Sequence, residues 1–141
     1  MAKSSTTRFT ISLPDQLMAV LDRLRSERGY GNRSEFVRDV LRGELVKEEW
    51  TEQRGEMVGV LLLVYDHETR LLADKLTDIQ HHHFGVVAAA LHIHLDQHTC
   101  LEVITLRGPA RQIKALADSL TSVKGVHYGK LVPATTGKRL R

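Results

Sequence analysis

The chain has 141 residues, 42% hydrophobic and 26% charged, with a formal net charge of +3 when its eight histidines are neutral. That composition excludes a disordered chain and suffices for one ordinary domain or two small ones, and a single cysteine excludes an internal disulfide framework. The N-terminal MAKSSTTRFTISLP lacks the apolar run of a signal peptide, and the longest apolar runs, MVGVLLLVY and VVAAALHIHL, are too short to span a bilayer, so we expect a cytoplasmic protein with no membrane partner.

In chain order, the first segment alternates. Phe9, Ile11 and Leu13 share one face and Arg8, Thr10 and Ser12 the other, which predicts a half-buried strand. Pro14 and Asp15 suit a helix start, and Leu17, Val20, Leu21 and Leu24 follow at helical spacing until Gly29. Asn32 with Glu35 three residues later resembles a capping box and opens a second helix, lined by Phe36, Val37, Val40, Leu41 and Leu45, to about Trp50. Arginine is concentrated here, at Arg23, Arg25, Arg28, Arg33, Arg38 and Arg42, and the chain ends in GKRLR. A mildly basic balance alone is weak evidence for nucleic acid.

A strand and two helices in some 40 residues cannot bury enough apolar surface alone, and one strand leaves its backbone groups unpaired. Both problems vanish if two chains pair their strands antiparallel and interlock their helices. The pattern over residues 8–49 resembles the ribbon-helix-helix DNA-binding family, which reads the major groove with a two-stranded ribbon. Arg8, Thr10 and Ser12 would read base edges, and the turn GNRSEF, with Asn32, Arg33 and Ser34, would aim backbone N–H groups at a phosphate.

The polar stretch TEQRGE, 51–56, reads as a linker. Beyond it MVGVLLLVY predicts a buried strand, HETRLLADKLTDIQ a helix, HHHFG a loop, VVAAALHIHL a strand, DQHT a turn, CLEVITLRG a strand, PARQIKALADSLTSVKG a helix and VHYGKLV a last strand. The order β-α-β-β-α-β is the split ferredoxin-like arrangement and resembles an ACT-type regulatory domain. The fold class is therefore α+β: a ribbon-helix-helix (βαα) domain over 1–50, a linker over 51–56, a ferredoxin-like ACT-type domain over 57–133 and a basic tail over 134–141.

Six of the eight histidines, at 81, 82, 83, 92, 94 and 98, fall within 18 residues, beside the lone Cys100. Strand alternation points His92 and His94 the same way, with Ile93 and Leu95 toward the core. The turn then reverses the chain and can bring Cys100 beside the pair. Two imidazoles and a thiolate lack a fourth donor, for which QHHH, after the helix, offers three. Cysteine with histidine excludes magnesium and calcium, while nickel, zinc and copper all remain open on donor chemistry.

The two halves together resemble the nickel-responsive ribbon-helix-helix repressors, on RFTISLP, RGYGNRSEFVRDVLR, YDHETR, IQHHH and LHIHLDQHTCLE. The resemblance implies a planar nickel(II) site of His92, His94 and Cys100, with His81 from a neighbouring subunit, in a homotetramer made of two DNA-binding dimers. It implies a supporting role for Glu102, a secondary cation site at Glu35 and Asp39, and a DNA-backbone contact by Arg70. It implies repression at a palindromic double-stranded DNA operator with nickel as corepressor, controlling nickel uptake or nickel-enzyme genes. Phe84 replaces a histidine found in some relatives, and Ser12 stands where threonine is common. A metal carrier or storage protein would explain the histidines but leave the ribbon-helix-helix pattern unused. No phosphate loop or oxyanion motif accompanies Cys100, so we expect no enzyme.

Overall fold

The computed structural model describes residues 6–53 and 55–140. They divide between two compact units, bounded Met1–Leu45 with Gly137–Arg141, and Val46–Thr136.

In the first unit, α1 spans Asp15–Glu27. Pro14 supplies a fixed φ of −57° ahead of it, and its carbonyl accepts the Met18 N–H at 2.9 Å. Gly29, at φ +76°, ends it, with the N–H groups of Gly29 and Tyr30 donating back to the carbonyls of Ser26 and Arg25. The second helix, α2, spans Arg33–Glu52, and the Asn32 side-chain oxygen accepts the Glu35 N–H at 2.9 Å. Arg33 grips Asp22 through two nitrogens, at 2.8 and 2.6 Å, and so ties α1 to the start of α2. That hydrogen-bonded guanidinium holds the Asp22 carboxyl below the usual carboxylate range.

Residues 6–14 form neither helix nor strand, contrary to the strand expected over Arg8–Leu13. The reason is physical: a strand needs a ladder partner, and the single chain offers none here. Phe9 and Ile11 are 69% and 59% exposed. The apolar stripe of the helices is also uncovered, with α1 burying none of its residues and Leu17, Val20, Val40 and Leu41 facing solvent. Phe36 is the buried exception, edge-on to Tyr30.

The second unit is a four-stranded antiparallel sheet in the order β2-β3-β1-β4, formed by β1 (Glu56–Asp66), β2 (Val87–His94), β3 (Thr99–Pro109) and β4 (Val126–Ala134). Helix α3 (Leu72–His82) follows β1, and α4 (Ala110–Thr121) follows β3. Burial alternates along β1 and β3, so Leu61, Leu63, Tyr65, Cys100, Ile104 and Leu106 share the inner face. Helix α4 packs on β4, β1 and β3 through Ile113, Leu116 and Leu120. Trp50, at the end of α2, joins this core and donates its indole N–H to the Ala134 carbonyl at 2.8 Å. The outer strands differ. Pro133 sits in β4, where an edge tolerates a missing donor, whereas β2 carries no charge and exposes Ala88, Ala89, Ala90 and Leu91.

Three expectations need correction. The helix expected from His67 begins only at Leu72, because His67–Leu71 makes a turn in which Asp66 accepts the N–H groups of Glu68 and Thr69 and Leu71 takes φ +62°. The expected loop HHHFG is helical through His82, and the rings of His82 and His83 bond back to the carbonyls of Asp78 and Ile79 at 2.8 and 2.9 Å, capping the helix end. At the other boundary α2 carries Thr51 and Glu52, expected in the linker, while Arg54 lies outside the described residues. No helix among the described residues is long and apolar enough to cross a membrane.

Strand β4 and helix α4 approach each other tightly. A Cβ at Gly129 would stand 2.5 Å from the side chain of Thr121. Gly129→Ala should therefore cost about 1–3 kcal/mol, read as a lower denaturation midpoint at unchanged slope, and Thr121→Ala in the same chain should recover part of it.

Candidate metal centre

Strand register builds the centre. Cys100 stands directly opposite His94 of β2 and opposite Tyr65 of β1, and His92 stands opposite Glu102. Directly opposed residues share a face, so His92 and His94 lie on the inner face with Cys100. This corrects the expectation that Ile93 and Leu95 face the core. Ile93 is half-buried opposite Leu101, on the other face, and Leu95 is 54% exposed.

Cys100 is fully buried, and three imidazole nitrogens surround its sulfur: His92 Nε2 at 2.9 Å, His67 Nδ1 at 3.2 Å and His94 Nδ1 at 3.5 Å. The donor atoms of His67, His94 and Cys100 all lie within 4.8 Å of one another. Burial, then the carboxylates of Asp96, Asp66 and Glu102, push the Cys100 thiol up from its ordinary value. Behind these donor atoms, Tyr65 donates its hydroxyl to Glu102 Oε2 at 2.9 Å, and its oxygen lies 3.3 Å from His92 Nδ1. Since the one phenolic proton is committed to Glu102, the His92 Nδ1–H donates to the phenol oxygen. The Nε2 lone pair is thereby left facing the sulfur. Burial, followed by Glu102, pushes the Tyr65 phenol well up, so it stays a donor throughout the physiological range. Glu102 is 7% exposed and its other oxygen accepts from Gln80 Nε2 at 2.8 Å.

His92, His94 and Cys100 are thus brought together, with Glu102 next to them. His81 lies exposed on the last turn of α3 and is not among the atoms that converge on Cys100 within this chain. Two residues of the centre have no counterpart among the sequence-predicted ligands. His67 continues the inner-face alternation Leu61, Leu63, Tyr65 by one more step, a signal hidden by ending the strand at Tyr65. Gln80 precedes the histidine run and carries no such signal. His98, in the turn between β2 and β3, bonds Glu68 Oε2 through Nδ1 at 2.7 Å.

The other singled-out residues lie apart from this centre. Arg8, Thr10 and Ser12 are exposed, and Asn32, Arg33 and Ser34 are exposed around the start of α2. Glu35 and Asp39 line one shallow depression with Tyr30, Arg38 and Arg42, where Asp39 accepts from the Tyr30 hydroxyl and from Arg42 at 3.3 Å. Arg70 is exposed in the turn before α3.

The geometry defines a class: a two-helix unit with an uncovered apolar stripe, joined to a split ferredoxin-like sheet whose histidine–cysteine group could hold a metal ion. Residues 58–134 match the NikR C terminal nickel binding domain, and residues 7–48 match the ribbon-helix-helix protein, CopG family. A putative nickel-responsive regulator of Geobacter metallireducens is 52% identical over 135 residues, 96% of this chain and 97% of that protein. One from Thermococcus onnurineus is 43% identical over 134 residues, 95% and 97% of the two chains. Among solved structures, an uncharacterized protein of Thermotoga maritima resembles 57% of this chain, over its own full length, at a TM-score of 0.52 and 16% identity, a likeness of fold alone. The chain belongs to the NikR family of ribbon-helix-helix proteins with a C-terminal nickel-binding domain.

The Glu68 partner raises the His98 pKa above the ordinary 6.5. The pairing therefore contributes fully below that value and is lost as pH rises through the folded one. The imidazole signal of His98 should titrate above 6.5 in an NMR pH series, and Glu68→Gln should return it toward the ordinary range. An unshifted midpoint in the unaltered protein would remove the pairing.

Proposed function

We propose that this chain is a nickel-responsive transcriptional repressor that binds operator DNA with nickel(II) as corepressor, lowering the expression of nickel-uptake or nickel-enzyme genes. The single observation that carries the reading is the sulfur of Cys100, buried and ringed by imidazole nitrogens at 2.9–3.5 Å, in a chain whose other unit is a ribbon-helix-helix. Two or three nitrogens and a thiolate fit nickel(II), copper(II) or zinc(II) and fit magnesium or calcium poorly. The family supports nickel as the regulatory ion. His92, His94 and Cys100 of one subunit would hold the ion together with His81 of a neighbour, and the ion would supply a metal-dependent link between the two.

On this reading the residues divide their work. His92 is oriented by Tyr65, and Tyr65 by Glu102, so the donor set is preorganised. The exposed His81, on the last turn of α3, is presented to a neighbouring copy. Two copies pair their Arg8–Leu13 segments into the ribbon, cover the open stripe of Leu17, Val20, Val40 and Leu41, and form the 1–50 DNA-binding domain. The 57–133 domains assemble two such dimers into a homotetramer that spans a palindrome, with 51–56 as linker and 134–141 as basic tail. Arg8, Thr10 and Ser12 then read bases, while Asn32, Arg33, Ser34 and Arg70 position the backbone. Arg33 must share its guanidinium with Asp22 or contribute through its N–H. Glu35 and Asp39 would hold a secondary cation, in place of the Tyr30 and Arg42 hydrogen bonds that Asp39 accepts. The arrangement favours one DNA-competent state only by differential affinity, which a bond shared between subunits provides. We place the protein in the cytoplasm and assign it no catalytic role, since the histidines around Cys100 serve as ligands.

A mobility-shift titration with the operator tests this. Nickel should tighten binding of the unaltered protein, and Cys100→Ala should abolish that gain while leaving residual nickel-independent binding. Arg8→Ala should weaken specific binding by about tenfold or more, equivalent to a lost bidentate base contact, with nickel uptake unchanged. Full nickel dependence in Cys100→Ala would overturn the site. Nickel affinity should also fall with falling pH, because binding must displace protons from imidazoles and thiol.

A further inference from the structure

The helical unit is weakly basic for one that holds DNA. Over Met1–Leu45 eight lysines and arginines face six aspartates and glutamates, a side-chain balance of +2. Three of its arginines are moreover engaged nearby: Arg23 with Glu27, Arg33 with Asp22 and Arg42 with Asp39. A second source of positive charge lies at the other end of the sequence. Asp118 is the last acidic residue, and Lys124, Lys130, Lys138, Arg139 and Arg141 follow it. These five cations exceed the formal net charge of +3 of the whole sequence, so everything before them is acidic on balance. The last three fall within Gly137–Arg141, which belongs to the same compact unit as Met1–Leu45 and raises its balance to +5.

We infer that residues 137–141 form a second DNA contact, which grips phosphates without regard to sequence and supplies much of the electrostatic affinity of the helical unit. The inference rests on the DNA-binding reading of that unit.

Local structure presents the segment for this role. Ala134, the last residue of β4, accepts the Trp50 indole N–H, and Thr135 donates its hydroxyl to Glu49 Oε2 at 3.0 Å, so the chain leaves the sheet alongside the end of α2. Gly137, at φ +75°, opens a turn that the Leu140 N–H closes on the Gly137 carbonyl at 3.2 Å. Lys138 and Arg139 occupy its two central positions and are exposed, while Leu140 is half-buried. Arg141 lies outside the described residues and enters by its charge alone. A turn that holds its apolar residue in and its cations out suits a polyanion. A lipid surface would draw instead on exposed apolar side chains.

Each phosphate that such a cation neutralises releases a condensed counterion and steepens the fall of log affinity with log salt by about 0.9. The contact carries no base information. The tail therefore tightens binding to operator and to arbitrary duplex alike, and discrimination stays with Arg8, Thr10 and Ser12.

The test measures fluorescence anisotropy of nickel-loaded protein on an operator duplex and on a duplex of arbitrary sequence, across a range of salt concentrations. Four proteins are compared: the unaltered chain, a chain ending at Thr136, the triple variant Lys138→Gln, Arg139→Gln and Arg141→Gln, and the double variant Arg139→Lys and Arg141→Lys. The shortened chain and the glutamine variant should each lower the steepness of the salt dependence by at least about 2. Both should weaken binding to the two duplexes by at least about tenfold at low salt, with the ratio between the duplexes kept within about threefold. The lysine variant, which keeps the charge, should keep the steepness of the unaltered chain. An unchanged steepness in the glutamine variant, a loss confined to the operator, or a loss as large in the lysine variant as in the glutamine variant overturns the proposal. The glutamine variant keeps the test in force should the shortened chain fail to fold. Absence of any nickel-dependent preference for the operator in the unaltered protein would overturn the regulator reading instead, while the salt dependence on the arbitrary duplex would still decide the role of the tail.

Discussion

The position of β3 between two neighbours is the constraint on which the rest depends. Its register against β2 puts Cys100 opposite His94, and its register against β1 puts the same residue opposite Tyr65. A slip of one residue on either side would turn the paired side chains to the other face and dissolve the cluster. What fixes the register is the apolar inner face: Leu61, Leu63, Ile104 and Leu106 are all wholly buried and tolerate no shift. The hydrophobic core thus positions polar chemistry that it does not itself contain. Tyr65 belongs to both, with its ring in the core and its hydroxyl between His92 and Glu102.

The two units are stabilised in different ways. The sheet unit closes its own core, down to the indole of Trp50 against the Ala134 carbonyl. The helical unit closes almost nothing, and its strongest internal link is a polar one, the two-pronged grip of Arg33 on Asp22. Such an exposed pair fixes geometry more than it stabilises, since solvent screens it. It sets the angle between two helices whose apolar faces still lack a cover.

How far the amino-acid sequence announces this structure follows from the range of the interactions involved. Local signals are legible: Pro14 before α1, Gly29 after it, Asn32 capping α2, and the alternation that marks β1 and β3. The hairpin logic that sets Cys100 beside His94 is legible too, because it spans only six residues. What stays hidden depends on contacts distant in sequence or between chains. Residues 6–14 alternate as a strand does but have nothing to pair with in one chain. The start of α3 is displaced because Asp66 diverts the following N–H groups into a turn. His67 does continue the alternation of β1, but the turn that begins there masks it, and its approach to a sulfur 33 positions along the chain is set by strand pairing distant in sequence. The inward face of His92 and His94 is equally hidden, because a lone HxH reads as surface polarity until its partner strand is known.

The bare edge of β2 has a meaning for the life of the protein before it ever meets DNA. Its run from Val87 to His94 is uncharged and its alanines are open to solvent, with none of the lysines or prolines that usually blunt such an edge. The outer side of β2 therefore presents a row of backbone N–H and C=O groups open to an incoming strand. A sheet edge left bare in this way is a template for pairing with any other strand, so the solubility of the chain and the placement of His92 and His94 depend on the same strand.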